Sequence, residues 1–179
     1  MNYDICLVGV GGQGVLTIAD ILCEAALRVG VPFNYYPTKG MAQRGGFVKA
    51  HMRLGRLRVG PQVPEQGADL AISMELSEGL KAVRFVKHGG DFVLYSYVWQ
   101  PAAVMLGKAL YPSREQVLSE IDAAGARVHF LHPAELPRHG GRPVAPNVFL
   151  LGAAVGRTPL RQLRRVQIVH TSASLLDFV

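Results

Sequence analysis

Apolar and polar positions along the chain alternate between strand-like and helix-like periods. Ile5-Cys6-Leu7-Val8 is an unbroken apolar run, the pattern of a strand buried on both faces. Gly9-Val10-Gly11-Gly12-Gln13-Gly14 interrupts it. From Val15 to Val29 the residues Leu16, Ala19, Leu22, Ala26 and Val29 recur at helical spacing, and Gly30 marks the stop. A second short strand over 31–36 ends at Pro37. The chain therefore opens as strand, glycine turn, helix, strand, a βαβ unit whose crossover is expected to be right-handed.

Residues 38–46 form a polar, glycine-rich loop. From Phe47 to Leu54 the pattern alternates. Val48, Ala50, Met52 and Leu54 share one face and Lys49, His51 and Arg53 the other, which predicts a half-exposed strand. Gly55-Arg56 predicts a turn into a partner strand near Leu57–Val59. Further on, 68–74 reads as a buried strand, 76–86 as a helix, 87–90 as a turn and 91–98 as a strand. Ser113-Arg114-Glu115-Gln116 is a capping box opening a helix to Ala124. Gly125 closes it, 127–131 is a further strand, and 147–155 an apolar helix. The expected fold class is α/β: a Rossmann-like, three-layer, mostly parallel sheet with an antiparallel hairpin excursion. One domain is expected over 1–156. The segment 157–179 stands apart as a basic tail, with Arg157, Arg161, Arg164 and Arg165 against the single acid Asp177.

Composition narrows the function classes. With 179 residues, 49% of them hydrophobic and 18% charged, the chain buries a core and is not a disordered segment. The net charge of +6 points to an anionic partner without saying whether that is a nucleic acid, a phosphorylated cofactor or an acidic protein. Cys6 and Cys23 both lie in apolar runs and no Cys-x-x-Cys occurs, so the chain alone is not expected to ligate zinc or an iron–sulfur cluster. No secretory signal and no apolar run of the ~20 residues that span a bilayer is visible. A cytoplasmic protein with no membrane partner is expected.

Gly9, Gly11 and Gly14 fit G-x-G-x-x-G between a strand and a helix. That spacing suits a tight turn, a close backbone approach to a phosphate and close helix packing. An NAD site also wants an acid at the end of the second strand. Here that strand ends Phe33-Asn34-Tyr35-Tyr36, and no acid occurs between Glu24 and Glu65. A P-loop wants Lys-Ser/Thr after its last glycine, where Val15-Leu16 stands. The turn is left as an anion site or a tight turn without ligand.

The second constellation is Gly40-Met41-Ala42-Gln43-Arg44-Gly45-Gly46. Gly45 and Gly46 admit close backbone approach, and Gln43 and Arg44 carry groups suited to carboxylate or phosphate. Between 39 and 58 there are six Lys and Arg residues and no acid. Two readings follow: a solvated basic hairpin, or an electropositive mouth at the carboxyl ends of the first strands with His51 on its polar face. No Gly-x-Ser-x-Gly or His-Glu-x-x-His occurs, and His129-x-x-His132 straddles a strand end, which argues against a metal pair.

In order along the chain stand Val8-Gly-Val-Gly-Gly-Gln-Gly-Val15, Gly40-Met-Ala-Gln-Arg-Gly-Gly46 and Val48-x-x-His51-x-Arg53. Ala68-Asp69, Glu75-x-x-Glu78-x-Leu80, Ala109-Leu-Tyr-Pro112 and Asn147-Val-Phe-Leu-Leu-Gly152-Ala follow. The set resembles the gamma-type subunits of the 2-oxoacid:ferredoxin oxidoreductases, most of all those of the indolepyruvate branch. The resemblance implies a complex that oxidatively decarboxylates a 2-oxoacid, an aryl pyruvate in that branch, to an acyl-CoA. Thiamine diphosphate, Mg and [4Fe-4S] clusters are then expected in a larger alpha subunit, with coenzyme A as co-substrate and ferredoxin as electron acceptor. This chain would bind no cofactor alone and would act only within the complex. Gly9, Gly11, Gly12, Gln13 and Gly14 would shape a turn facing CoA or substrate. Gln43, Arg44, Gly45 and Gly46 would face the alpha subunit or the CoA path, with His51 behind them. The likeness covers about 1–156. Family members of this type usually continue into a further helix, whereas here a short Arg-rich tail follows. The rival reading is a nucleotide- or nucleic-acid-binding module without catalysis, but interleaved aromatics and an RNA-binding signature are missing.

Overall fold

The computed structural model describes residues 1–38, 46–56 and 58–165, the last two of these by backbone only. The elements are β1 (Tyr3–Val10), α1 (Val15–Arg28), β2 (Phe33–Thr38), β3 (Phe47–Leu54), β4 (Ala68–Ser73), α2 (Gly79–Val83) and β5 (Val86–Tyr95). They continue with α3 (Ala102–Met105), α4 (Arg114–Ala123), β6 (Arg127–Leu131), a small hairpin β7 (Arg138–His139) and β8 (Arg142–Pro143), and α5 (Pro146–Arg157). One six-stranded sheet has the order β2-β3-β1-β4-β5-β6. β1, β4, β5 and β6 pair parallel, and β3 is antiparallel to both β1 and β2. The fold is thus α/β and mostly parallel, with an antiparallel excursion through β2 and β3.

Two apolar faces sandwich the sheet. On one, Ile5 and Leu7 of β1, Met52 of β3 and Ile72 of β4 pack against Ile18 and Leu22 of α1 and Leu150 and Ala154 of α5. On the other, Cys6, Val8, Ala71, Phe92 and Leu94 meet Ala82 of α2 and Val117 and Ile121 of α4. Every residue of β1 is buried, as its apolar run demands. The capping box forms as expected: Gln116 N–H donates to Ser113 Oγ at 3.1 Å and Ser113 N–H donates to Gln116 Oε1 at 2.8 Å. Gly125, at φ +71°, supplies the left-handed residue that stops α4.

Four expectations are corrected. Residues 47–54 do not turn into a strand at 57–59. Their partners are β1 and β2, and Arg58 and Val59 lie in no strand, while Leu57 is outside the described residues. β3 lies inside the sheet between β1 and β2, and its polar face is not exposed at His51 and Arg53, because residues 60–63 and Phe85 pack there. The helix expected over 76–86 is helical only at 79–83, because Val86 already pairs with Ala68 at the start of β5 and the strand absorbs the 87–90 turn. Leu160 and Leu163, in the segment set apart as a basic tail, sit in the core at the i, i+3 spacing of the 3-10 turn Pro159–Arg165.

Candidate functional site

α1, leaving β1, packs on one face of the sheet, while α2, leaving β4, packs on the other. The winding therefore reverses between the carboxyl ends of β1 and β4, the place where open α/β sheets form a ligand crevice. The glycine turn sits there. Gln13 spans the gap: its Oε1 accepts the Val10 N–H at 2.8 Å and its Nε2 donates to the Met74 carbonyl at 3.2 Å. Gln13 is a strut of the turn, with both ends of its amide engaged.

The glycines divide the work. A Cβ on Gly9 would lie 2.7 Å from Val15 Cγ2 and 2.8 Å from Gln13 Oε1, so this position is closed by packing. Gly14, at φ +86°, abuts α5, where an added Cβ would lie 2.5 Å from Asn147 Nδ2. Gly11 N–H donates to the Gly46 carbonyl at 2.8 Å, which ties the turn to the entry of β3. Gly12, at φ +98°, is exposed with open space around it. Gly14 caps α1 without a side chain, so the positive end of a 14-residue helix addresses this edge uncovered by a cap. The arrangement can hold an anionic group against backbone N–H groups near Gly12. Gln43, Arg44 and Gly45 lie outside the described residues; Gly46 is half-buried at the edge of the turn.

Among the described residues, the basic side chains of the stretch do not gather at this mouth. β3 runs away from it, so Arg53 reaches the opposite edge of the sheet and forks onto buried Asp4 at 3.0 and 3.1 Å. Arg56 joins the same carboxylate at 3.3 Å. Lys49 remains near the mouth, its ammonium 4.9 Å from the Phe85 ring centre. His51 is fully buried, and its Nδ1 accepts the Val63 N–H at 3.1 Å. Burial, then the cations Lys49, Arg84 and Arg53, push its pKa down to about 4. His51 is thus a neutral pin for the backbone at Val63, not a group on a polar surface.

Glu75, quoted in the sequence only as part of a pattern, is a node of this edge. Fully buried just after β4, its Oε2 accepts the Ser77 hydroxyl at 2.7 Å and the Glu78 N–H at 2.8 Å. Its Oε1 accepts the Trp99 N–H at 3.1 Å and the Tyr111 hydroxyl. The carboxylate fastens both ends of the loop after β5 to the end of β4. The sequence signal was an acid directly after an apolar strand, a position that burial makes costly unless donors surround it.

Among the described residues no three His, Cys, Asp or Glu side chains converge on a point that could hold a metal ion. The two cysteines do not fit as cluster ligands: Cys6 lies in the core with its thiol pushed up to about 12 by burial, and half-buried Cys23 is pushed up to about 11. No helix of the described residues is long and apolar enough to cross a membrane.

Residues 4–170 match the family described as pyruvate ferredoxin/flavodoxin oxidoreductase. The chain is 36% identical over 156 residues to indolepyruvate oxidoreductase subunit IorB of Archaeoglobus fulgidus, covering 87% of this chain and 77% of that one. It is 37% identical over 169 residues to the subunit of the same name from Thermococcus kodakarensis, covering 93% and 83%. Among solved structures, pyruvate oxidoreductase subunit PORC of Thermotoga maritima has the same fold, with a TM-score of 0.61 at 20% identity over 98% of this chain and 89% of that one. A fold wound to leave a glycine turn at its switch point, and a family match along nearly its whole length, lead to one conclusion: the chain belongs to the pyruvate ferredoxin/flavodoxin oxidoreductase family and is a subunit of a 2-oxoacid:ferredoxin oxidoreductase.

Proposed function

We propose that the chain is the small subunit of an indolepyruvate-type oxidoreductase. The holoenzyme converts an aryl pyruvate and coenzyme A to an acyl-CoA and carbon dioxide and passes two electrons to ferredoxin. The observation that carries the reading is the 36 and 37% identity to subunits named for indolepyruvate, extending over most of both chains. Thiamine diphosphate, Mg and the [4Fe-4S] clusters belong in this reading to the larger alpha subunit. The protonated thiols of buried Cys6 and half-buried Cys23 support that division.

The chain's own part is structural and electrostatic. The turn Gly9–Gly14 forms a wall of the shared site, with Gly12 as its open position. The loop through Gln43, Arg44, Gly45 and Gly46 faces the alpha subunit or the path of CoA. The deciding experiment co-expresses the chain with its larger subunit and follows CoA-dependent ferredoxin reduction with indolepyruvate, phenylpyruvate, pyruvate and 2-oxoglutarate. Aryl pyruvates should give the highest kcat/KM and the isolated chain no turnover. A preference for pyruvate or 2-oxoglutarate would overturn the substrate assignment. Arg44→Ala should lower CoA-dependent turnover with assembly intact, and unchanged turnover would remove the loop from the site.

A further inference from the structure

The segment after β5 carries a set of exposed apolar side chains. Leu110 is 98% exposed, Met105 and Leu106 each 68%, and Val98 and Trp99 each 47%; Tyr97 adds a further exposed ring. Six large apolar side chains exposed within one stretch of 14 residues mark a surface that binds something. Between 96 and 111 the only charged residue is Lys108. A partner for this surface must itself be apolar, not acidic.

The segment is also held in shape. Leu76 N–H donates to the Tyr97 carbonyl at 2.9 Å, and Glu75 grips it at the Trp99 N–H and the Tyr111 hydroxyl. The short helix α3 orders the middle. An apolar surface fixed before binding loses less conformational entropy when it docks. Its two anchored ends leave the carboxyl edge of the sheet, the same edge as the glycine turn, because Met74 accepts from Gln13 and Glu75 follows it in the chain.

We infer that the 97–110 segment is the docking surface for an apolar face of the larger subunit of the complex, and that Glu75 is the latch that presents it. The inference rests on the assignment of this chain as a subunit of that oxidoreductase. Continuity with the candidate site places the surface where the partner must approach to share that site. A second copy of this chain is a poorer occupant: it carries the same +6 charge, so self-association works against repulsion.

The test uses the co-expressed complex of full-length chains. The double variant Leu106→Asp/Leu110→Asp should weaken association with the larger subunit at least tenfold in titrations read by light scattering. The same variant alone should keep the wild-type circular dichroism and melting temperature. Leu27→Asp, on an exposed face of α1 (63% exposed), should assemble as wild type. In the wild-type complex, amide hydrogens of 97–110 should gain protection on assembly. Wild-type affinity of the double variant, or unchanged exchange in 97–110, overturns the surface while leaving the subunit assignment standing. Failure of the wild-type chain to associate with the larger subunit overturns both. An isolated chain that dimerises through 97–110 and is made monomeric by the double variant replaces the partner with a second copy and overturns the inference.

Discussion

Gln13 joins Met74 across the reversal point of the sheet: its Nε2 donates to the Met74 carbonyl at 3.2 Å while its Oε1 holds the Val10 N–H at 2.8 Å. Val10 is buried, so its N–H depends on this amide. Gln13→Ala should therefore cost about 1–3 kcal/mol, the cost of an orphaned buried donor. Urea denaturation measures it, and faster hydrogen exchange at Val10 should accompany it. A cost below roughly 0.5 kcal/mol would mean that water replaces the strut at no loss, well under the usual price of such a group.

Gly12 and Gly14 separate backbone strain from steric overlap. Both have positive φ, but only Gly14 faces a neighbour, Asn147. Gly12→Ala should cost about 1 kcal/mol from strain alone. Gly14→Ala should cost more, and adding Asn147→Ala should recover part of the loss by removing the group the new Cβ meets. Denaturation midpoints of the two single variants and the double variant decide it. Equal costs at Gly12 and Gly14 would show that α5 yields freely.

His51 sets a pH dependence of stability. Its folded pKa lies near 4, below the ordinary value of 6.5, so the unfolded chain binds the proton more readily. The stability that neutral His51 contributes is fully present above about pH 6.5 and is lost as pH falls from there toward 4. Below pH 4 this group has no further effect. Protonation also removes the acceptor for the Val63 N–H. The pH dependence of unfolding free energy should be flatter between pH 4 and 6.5 in His51→Leu than in wild type. Parallel curves would refute the assignment.

Glu75 holds four donors: the Ser77 hydroxyl, the Glu78 and Trp99 N–H groups and the Tyr111 hydroxyl. Glu75→Ala should cost roughly 3–5 kcal/mol, as one buried and three part-buried donors lose their acceptor together. Tyr111→Phe, which removes one donor and leaves the rest, should cost about 1 kcal/mol. Trp99 is the chain's one tryptophan, so its fluorescence anisotropy reports the latch directly. It should fall in Glu75→Ala and stay near wild type in Tyr111→Phe.

The local sequence determined whatever depends on neighbours a few residues apart. Ile5–Val8 had to be a strand buried on both faces, α1 followed from its 3.6-residue apolar spacing, and Ser113 with Gln116 closed a cap within a single turn. The glycine turn and the α/β class were legible for the same reason. The family resemblance was legible because it lay in an ordered set of short motifs. Strand order was not, because periodicity states which residues share a face and says nothing about which strand lies alongside. Packing of residues 60–63 and Phe85 against β3 turned His51 from a group expected on a polar face into a fully buried one. Arg53 found its carboxylate on Asp4, 49 residues away, and Gln13 found its acceptor on Met74, 61 residues away. Only the tertiary structure decided these pairings, because a buried charge or amide settles on whichever partner packing brings within reach. The same is true of Glu75, whose four donors come from three separate stretches of chain.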